Sequence, residues 1–110
     1  MANEEIIDGI PMDLSRLPAE LHGLIPLIRK WSTSDDVDRT EQWEAASTEE
    51  LQALFHAVWP HMSAINAYLD EADKLTPYPD EAMALGRLAE GVCEVQFVLR
   101  ERTGRDPAAG

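Results

Sequence analysis

Cationic residues are scarce in this chain of 110, with nine Lys and Arg against 21 Asp and Glu and a net charge of −12. A field of that sign repels phosphate backbones and anionic lipid headgroups, so the sequence predicts no direct nucleic-acid binding and no membrane-surface role. Cysteine is scarcer still. Cys93 alone excludes an intrachain disulfide and a thiol-rich metal site, and it fits a reducing compartment. No uncharged apolar run approaches the ~20 residues that span a bilayer. The first thirteen residues carry Glu4, Glu5, Asp8 and Asp13, without the basic start and apolar stretch of a secretory signal. The expected location is therefore the cytoplasm.

Catalytic signatures are missing too. His22, His56 and His61 have no glutamate three residues upstream, as a di-iron bundle site requires, and His56 and His61 point about 140° apart on a helix. Neither Asp36 nor Asp70 opens a calcium loop, because the sixth residues from them are Glu41 and Leu75 where glycine is needed. Cys93 sits between Glu90 and Glu94, which discourage a thiolate. There is no nucleophile elbow, phosphate loop or dinucleotide fingerprint. Glu90 and Glu94, four apart, are the only acid–base pair worth naming, and solvated surface is their ordinary role. No enzyme activity, cofactor or metal is expected.

What is present is a helical pattern. Hydrophobic residues make up 45% of the chain, enough for one packed core. Alternating strand patterns are lacking, while helical spacing recurs three times. Leu51, Phe55, Val58, Met62, Ile65 and Leu69 form a stripe over residues 48–71, opened by a Ser47–Glu50 capping box. Pro60 falls opposite that stripe and predicts a kink or two collinear helices. Leu85, Leu88, Val92, Val95 and Leu99 form a second stripe over 79–102, with Asp80 and Glu81 at its start, Arg100 and Arg102 at its end, and Gly104 as a stop. The short connection Leu75–Tyr78 predicts an antiparallel helical hairpin. Leu17, Leu21, Leu24, Ile28 and Trp31 give a third stripe, either one helix or a short helix followed by another that starts at Pro26. The fold expected is all-α, a small helical bundle built on the 48–71 and 79–102 hairpin and covered by shorter N-terminal helices. Its divisions are an irregular N-terminal arm at 1–13, a single helical domain at 14–104 and a frayed tail at 105–110.

Two features invite a partner. A second apolar line on the last helix (Met83, Gly86, Cys93 and Phe97, interrupted by Glu90) needs a cover, either from the N-terminal helices or from another subunit. Gly86 would let a backbone approach closely there, at a helix-propensity cost of ~1 kcal/mol. The other feature lies between Asp35 and Glu50, where seven acids face Arg39 alone, a local balance of −6 and half of the net charge. Ser34 reads as the cap of a surface helix, with Asp38, Glu41 and Glu44 forming a drifting ridge. Like charges so placed oppose helix formation, which a tolerant surface or a basic partner offsets. Trp43 is either an exposed aromatic anchor in that ridge or the helix's one large core residue. The candidate partner-binding set is thus Asp35, Asp36, Asp38, Glu41, Trp43 and Glu44. The expected function is a small acidic protein-interaction module that meets a basic protein, as an inhibitor, immunity protein or DNA mimic. A helical homodimer with a structural role is the alternative, with an enzyme or small-ligand-binding bundle behind it.

Overall fold

The computed structural model describes residues 3–33 and 35–109 and is mostly helical, with one small antiparallel strand pair. The strand pair lies where the sequence reading expects an irregular arm. β1 (Glu5–Ile7) and β2 (Ile10–Met12) pair with Glu5 opposite Met12 and Ile7 opposite Ile10. Asp8 and Gly9 close the turn with φ of 51° and 81°. Those positive angles are what a two-residue hairpin turn demands, and Asp-Gly meets them at low steric cost. Strands of three residues are too short to show alternation, so the dipeptide was the only available signal. Ile7 and Met12 point into the core. Arg29 holds the hairpin through Glu5 at 2.7 Å, and Arg87 reaches Asp8 at 3.3 Å.

Two short 3-10 turns, Leu14–Arg16 and Ala19–Leu24, lead into α1 (Ile25–Trp31). Pro26 lies in the first turn of α1, where its missing N–H needs no acceptor, so the third stripe resolves into a short turn followed by a helix. Leu17, Leu21, Leu24, Ile28 and Trp31 are all buried, as their spacing requires.

α2 (Asp36–Ala45) follows. Its cap is Asp35, whose carboxylate accepts from the Asp38 amide at 2.9 Å; Ser34, the cap expected from sequence, lies outside the described residues. α3 (Thr48–Val58) opens with the expected capping box. The Glu50 amide donates to Ser47 Oγ, and the Ser47 amide donates to Glu50 Oε1, each at 3.0 Å. Pro60 breaks the run, and Trp59–His61 tighten into a 3-10 turn before α4 (Met62–Ala72) resumes. Leu51, Phe55, Val58 and Ile65 remain buried across the break, with Met62 and Leu69 half-buried beside them.

α5 (Asp80–Thr103) is the long central helix. It ends at Gly104, whose φ of 73° is the left-handed cap that glycine adopts freely. Leu85, Leu88, Val92, Val95 and Leu99 are buried, and α1, α2, α3, α4 and β2 all pack against this helix. One cluster therefore forms the core, each large aliphatic or aromatic side chain contributing about 1.5–3 kcal/mol. The start of α3 meets the end of α5, where Arg102 reaches Thr48 Oγ1 at 3.5 Å, and Leu69 of α4 lies beside Gly86 near the start of α5. Beyond Gly104, where the sequence predicts a frayed tail, residues 105–109 make local contacts and reach back to α5. Asp106 accepts from Gln96 at 3.0 Å and from Arg100 at 3.2 Å, and a 3-10 turn spans Pro107–Ala109. Among the described residues, no helix is long and apolar enough to cross a membrane.

Candidate partner-binding surface on the acidic helix

α2 has an inner and an outer face of opposite chemistry. Trp43, 4% exposed, and Arg39, 8% exposed, are four residues apart and point the same way, toward α5. The Trp43 ring packs against Trp31, with centroids 5.5 Å apart, and covers Gly91, where any Cβ would come within 3.0 Å of it. Its Nε1 donates to Glu94 Oε1 at 2.9 Å. Arg39 forms a two-pronged pair with the same carboxylate, Nε to Oε1 at 2.8 Å and Nη2 to Oε2 at 2.9 Å. Burial is the largest single influence on Glu94 and pushes its pKa up. The hydrogen bonds from Arg39 and Trp43, with the charge of Arg39, outweigh it and hold the carboxyl below its ordinary 4.5. Arg102 fastens the far end, donating to Trp43 O and Ala46 O at 2.9 Å each, so a cation satisfies carbonyls at the negative end of α2.

The outer face carries the acids. Asp35, Asp38, Glu41 and Glu44 are exposed, and Val37, Thr40, Glu41 and Glu44 line a shallow depression between them. Successive members of Asp38, Glu41 and Glu44 rise by about 4.5 Å along the axis. Among the described residues, none of these three takes part in an ion pair, and Val37 adds an apolar spot that is 66% exposed. The side chain of Asp36 lies outside what the structure describes. Four of the six residues singled out from sequence are therefore exposed, Asp35 as the cap of α2 and the other three along it. Trp43 does not belong with them. Burial on Trp31 and Gly91 removes its ring from any partner contact, because α2 has no other large apolar side chain with which to seat itself on the core.

Glu94 is the residue that sequence reasoning misplaced. Its spacing from Glu90 suggests a carboxylate pair, but Glu94 is engaged by Arg39 and Trp43 while Glu90 stands exposed. No local pattern reveals a contact between residues 55 apart. The histidines stay separate: His22 Nε2 lies 2.7 Å from Leu17 O, and His56 meets the edge of Phe55. Among the described residues, no three His, Cys, Asp or Glu side chains are grouped to hold a metal ion. The second apolar line on α5 stays open. Met83 is 37% and Phe97 61% exposed, Cys93 is exposed, and the N-terminal helices do not cover them.

Comparison with known proteins finds no match, either to a family, to a curated protein or to a solved structure.

Proposed function

We propose that this chain is a small acidic protein-interaction module that engages a basic protein surface through α2. One observation carries the reading. Arg39, the sole cation between Asp35 and Glu50, turns inward to Glu94, while Asp35, Asp38, Glu41 and Glu44 face solvent. The segment's positive charge is committed to the core and its negative charge is left facing outward. The ridge is also fixed in place by Arg39, Trp43 and Arg102, which lowers the ordering cost of association. Residues 48–71 and 79–102 act in this reading as an antiparallel hairpin platform for α2, supported by the Arg102–Thr48 and Leu69–Gly86 contacts.

An inhibitor or immunity protein that blocks a basic nuclease or toxin fits this arrangement, as does a DNA mimic seated in a nucleic-acid-binding cleft. Either form associates by long-range attraction, so its on-rate falls as salt rises. The test is affinity capture at low ionic strength, followed by stopped-flow association of the purified partner over a salt series. Neutralising Asp35, Asp36, Asp38, Glu41 and Glu44 together to Asn or Gln should slow association by about tenfold or more. Binding that ignores salt and survives this fivefold variant rejects the mechanism.

A further inference from the structure

The open face of α5 forms the floor of a trough. On one side a cavity of about 350 Å³ is lined by Arg39 of α2 with Tyr78, Ala82, Met83, Gly86, Arg87 and Glu90. On the other, a cavity of about 410 Å³ is lined by Met62, Asn66 and Leu69 of α4 and by Asp73 just after it, together with Cys93. The two meet at Tyr78, Gly86 and Glu90. Along the floor, Met83, Gly86, Glu90, Cys93 and Phe97 follow a 3, 4, 3, 4 spacing that runs about 21 Å. Met83, Cys93 and Phe97 are exposed, and Arg100 lies over one side of the Phe97 ring at 5.5 Å.

Charge selects the occupant. Arg39, Arg87 and Arg100 are paired with Glu94, Asp8 and Asp106. Among the described residues, Glu90 at mid-floor and Asp73 at the rim have no ion-pair partner. A second copy crossing symmetrically near Glu90 would set the two Glu90 carboxylates against each other, between chains that each carry −12. From this geometry we infer that the trough docks an amphipathic helix of a partner protein. Its apolar face lies on Met83, Cys93 and Phe97, a bulky side chain fills the notch at Gly86, and a central Lys or Arg meets Glu90. This goes beyond the α2 ridge and stands or falls separately from it.

Cys93, the only thiol in the chain, sits on the floor and reports occupancy directly. The experiment measures its alkylation rate in the intact protein with a synthetic helical peptide of Leu and Lys at amphipathic spacing. A scrambled peptide of the same composition and a Glu-for-Lys version serve as controls. The amphipathic cationic peptide should slow alkylation about tenfold at saturation, and neither control should. Glu90→Lys and Phe97→Ser, both at exposed positions, should each weaken the peptide about tenfold. The fivefold α2 variant should leave Cys93 protection in place, which separates this site from the ridge. Equal protection by the scrambled peptide, or indifference to Glu90→Lys, overturns the inference. Protection that grows with protein concentration alone also overturns it, in favour of a second copy.

Discussion

The fit of α2 on α5 can be tested at two glycines of the same helix, for which the structure predicts opposite signs. Alanine is favoured over glycine in a helix interior by about 1 kcal/mol, so propensity alone would make Gly86→Ala and Gly91→Ala equally stabilising. Surroundings decide otherwise. At Gly86 the added methyl meets only Leu69 Cδ1 at 3.9 Å, an ordinary contact, and the gain of about 0.5–1 kcal/mol should be realised. At Gly91 it meets Trp43 Cζ2 at 3.0 Å and Cη2 at 3.3 Å, where carbon atoms prefer about 3.5–4.0 Å. The ring is poorly placed to withdraw, because Trp31 packs against it and Glu94 holds its Nε1. Overpacking of this kind costs about 1–3 kcal/mol, so a net loss of about 1 kcal/mol remains. The two variants should differ by about 2 kcal/mol. Urea unfolding followed by tryptophan fluorescence resolves that easily, since a slope of about 1–3 kcal/mol/M turns it into a midpoint separation near 1 M. Trp43→Phe removes the two clashing atoms, so in that background Gly91→Ala should lose most of its penalty. If both alanines stabilise, or if the Gly91→Ala penalty persists beside phenylalanine, the proposed seating of Trp43 is wrong.

Three further outcomes follow from the core and caps. Phe55 is fully buried and stacked on Trp59 at 4.9 Å, so Phe55→Ala should cost about 3–5 kcal/mol in urea unfolding. Ser47→Ala removes one half of the capping box and should cost about 1 kcal/mol, while Ser47→Asp should recover most of it. Glu94 has a folded-state pKa below 4.5, so its contribution is complete above the unfolded value and drains as pH falls through the folded one. Stability should therefore decline on acidification below about pH 4.5, and Glu94→Gln should flatten that slope; an unchanged slope would show that Glu94 carries none of it.

The helices were legible because their signals are local and redundant. Ser47 and Glu50 lie three apart, the stripe from Leu51 to Leu69 keeps phase across Pro60, and Gly104 follows Arg102 at the end of α5. The β-hairpin was signalled only by Asp8-Gly9, because three-residue strands carry too few side chains to show alternation. The contacts of the tail were hidden for another reason: Asp106 accepts from Gln96 and Arg100, and such bonds exist only once α5 has formed. At the candidate surface, exposure of Asp35, Asp38, Glu41 and Glu44 could be read from charge density. The choice between core and partner for Trp43 could not, since it depends on Gly91 and Glu94 about fifty residues downstream.

That long-range dependence also explains how so acidic a helix persists. Asp38, Glu41 and Glu44 oppose their own helix, and α2 has almost no apolar stripe with which to offset the cost. The compensation comes from the inner face, where Arg39 and Trp43 converge on one Glu94 carboxylate and Arg102 closes the carbonyl end. A lysine at position 39 would keep the charge but lose the two-pronged geometry, because an ammonium cannot span both oxygens as the guanidinium does. The residues that look most out of place in the segment, its one arginine and its one large aromatic, are thus the ones that turn a repelling run of acids into a rigid ridge. Burying them forfeits an aromatic anchor and leaves the outer face almost purely anionic. In the proposed function, recognition there would rest on charge and position, and salt, more than any single side chain, is the perturbation to which such binding should answer.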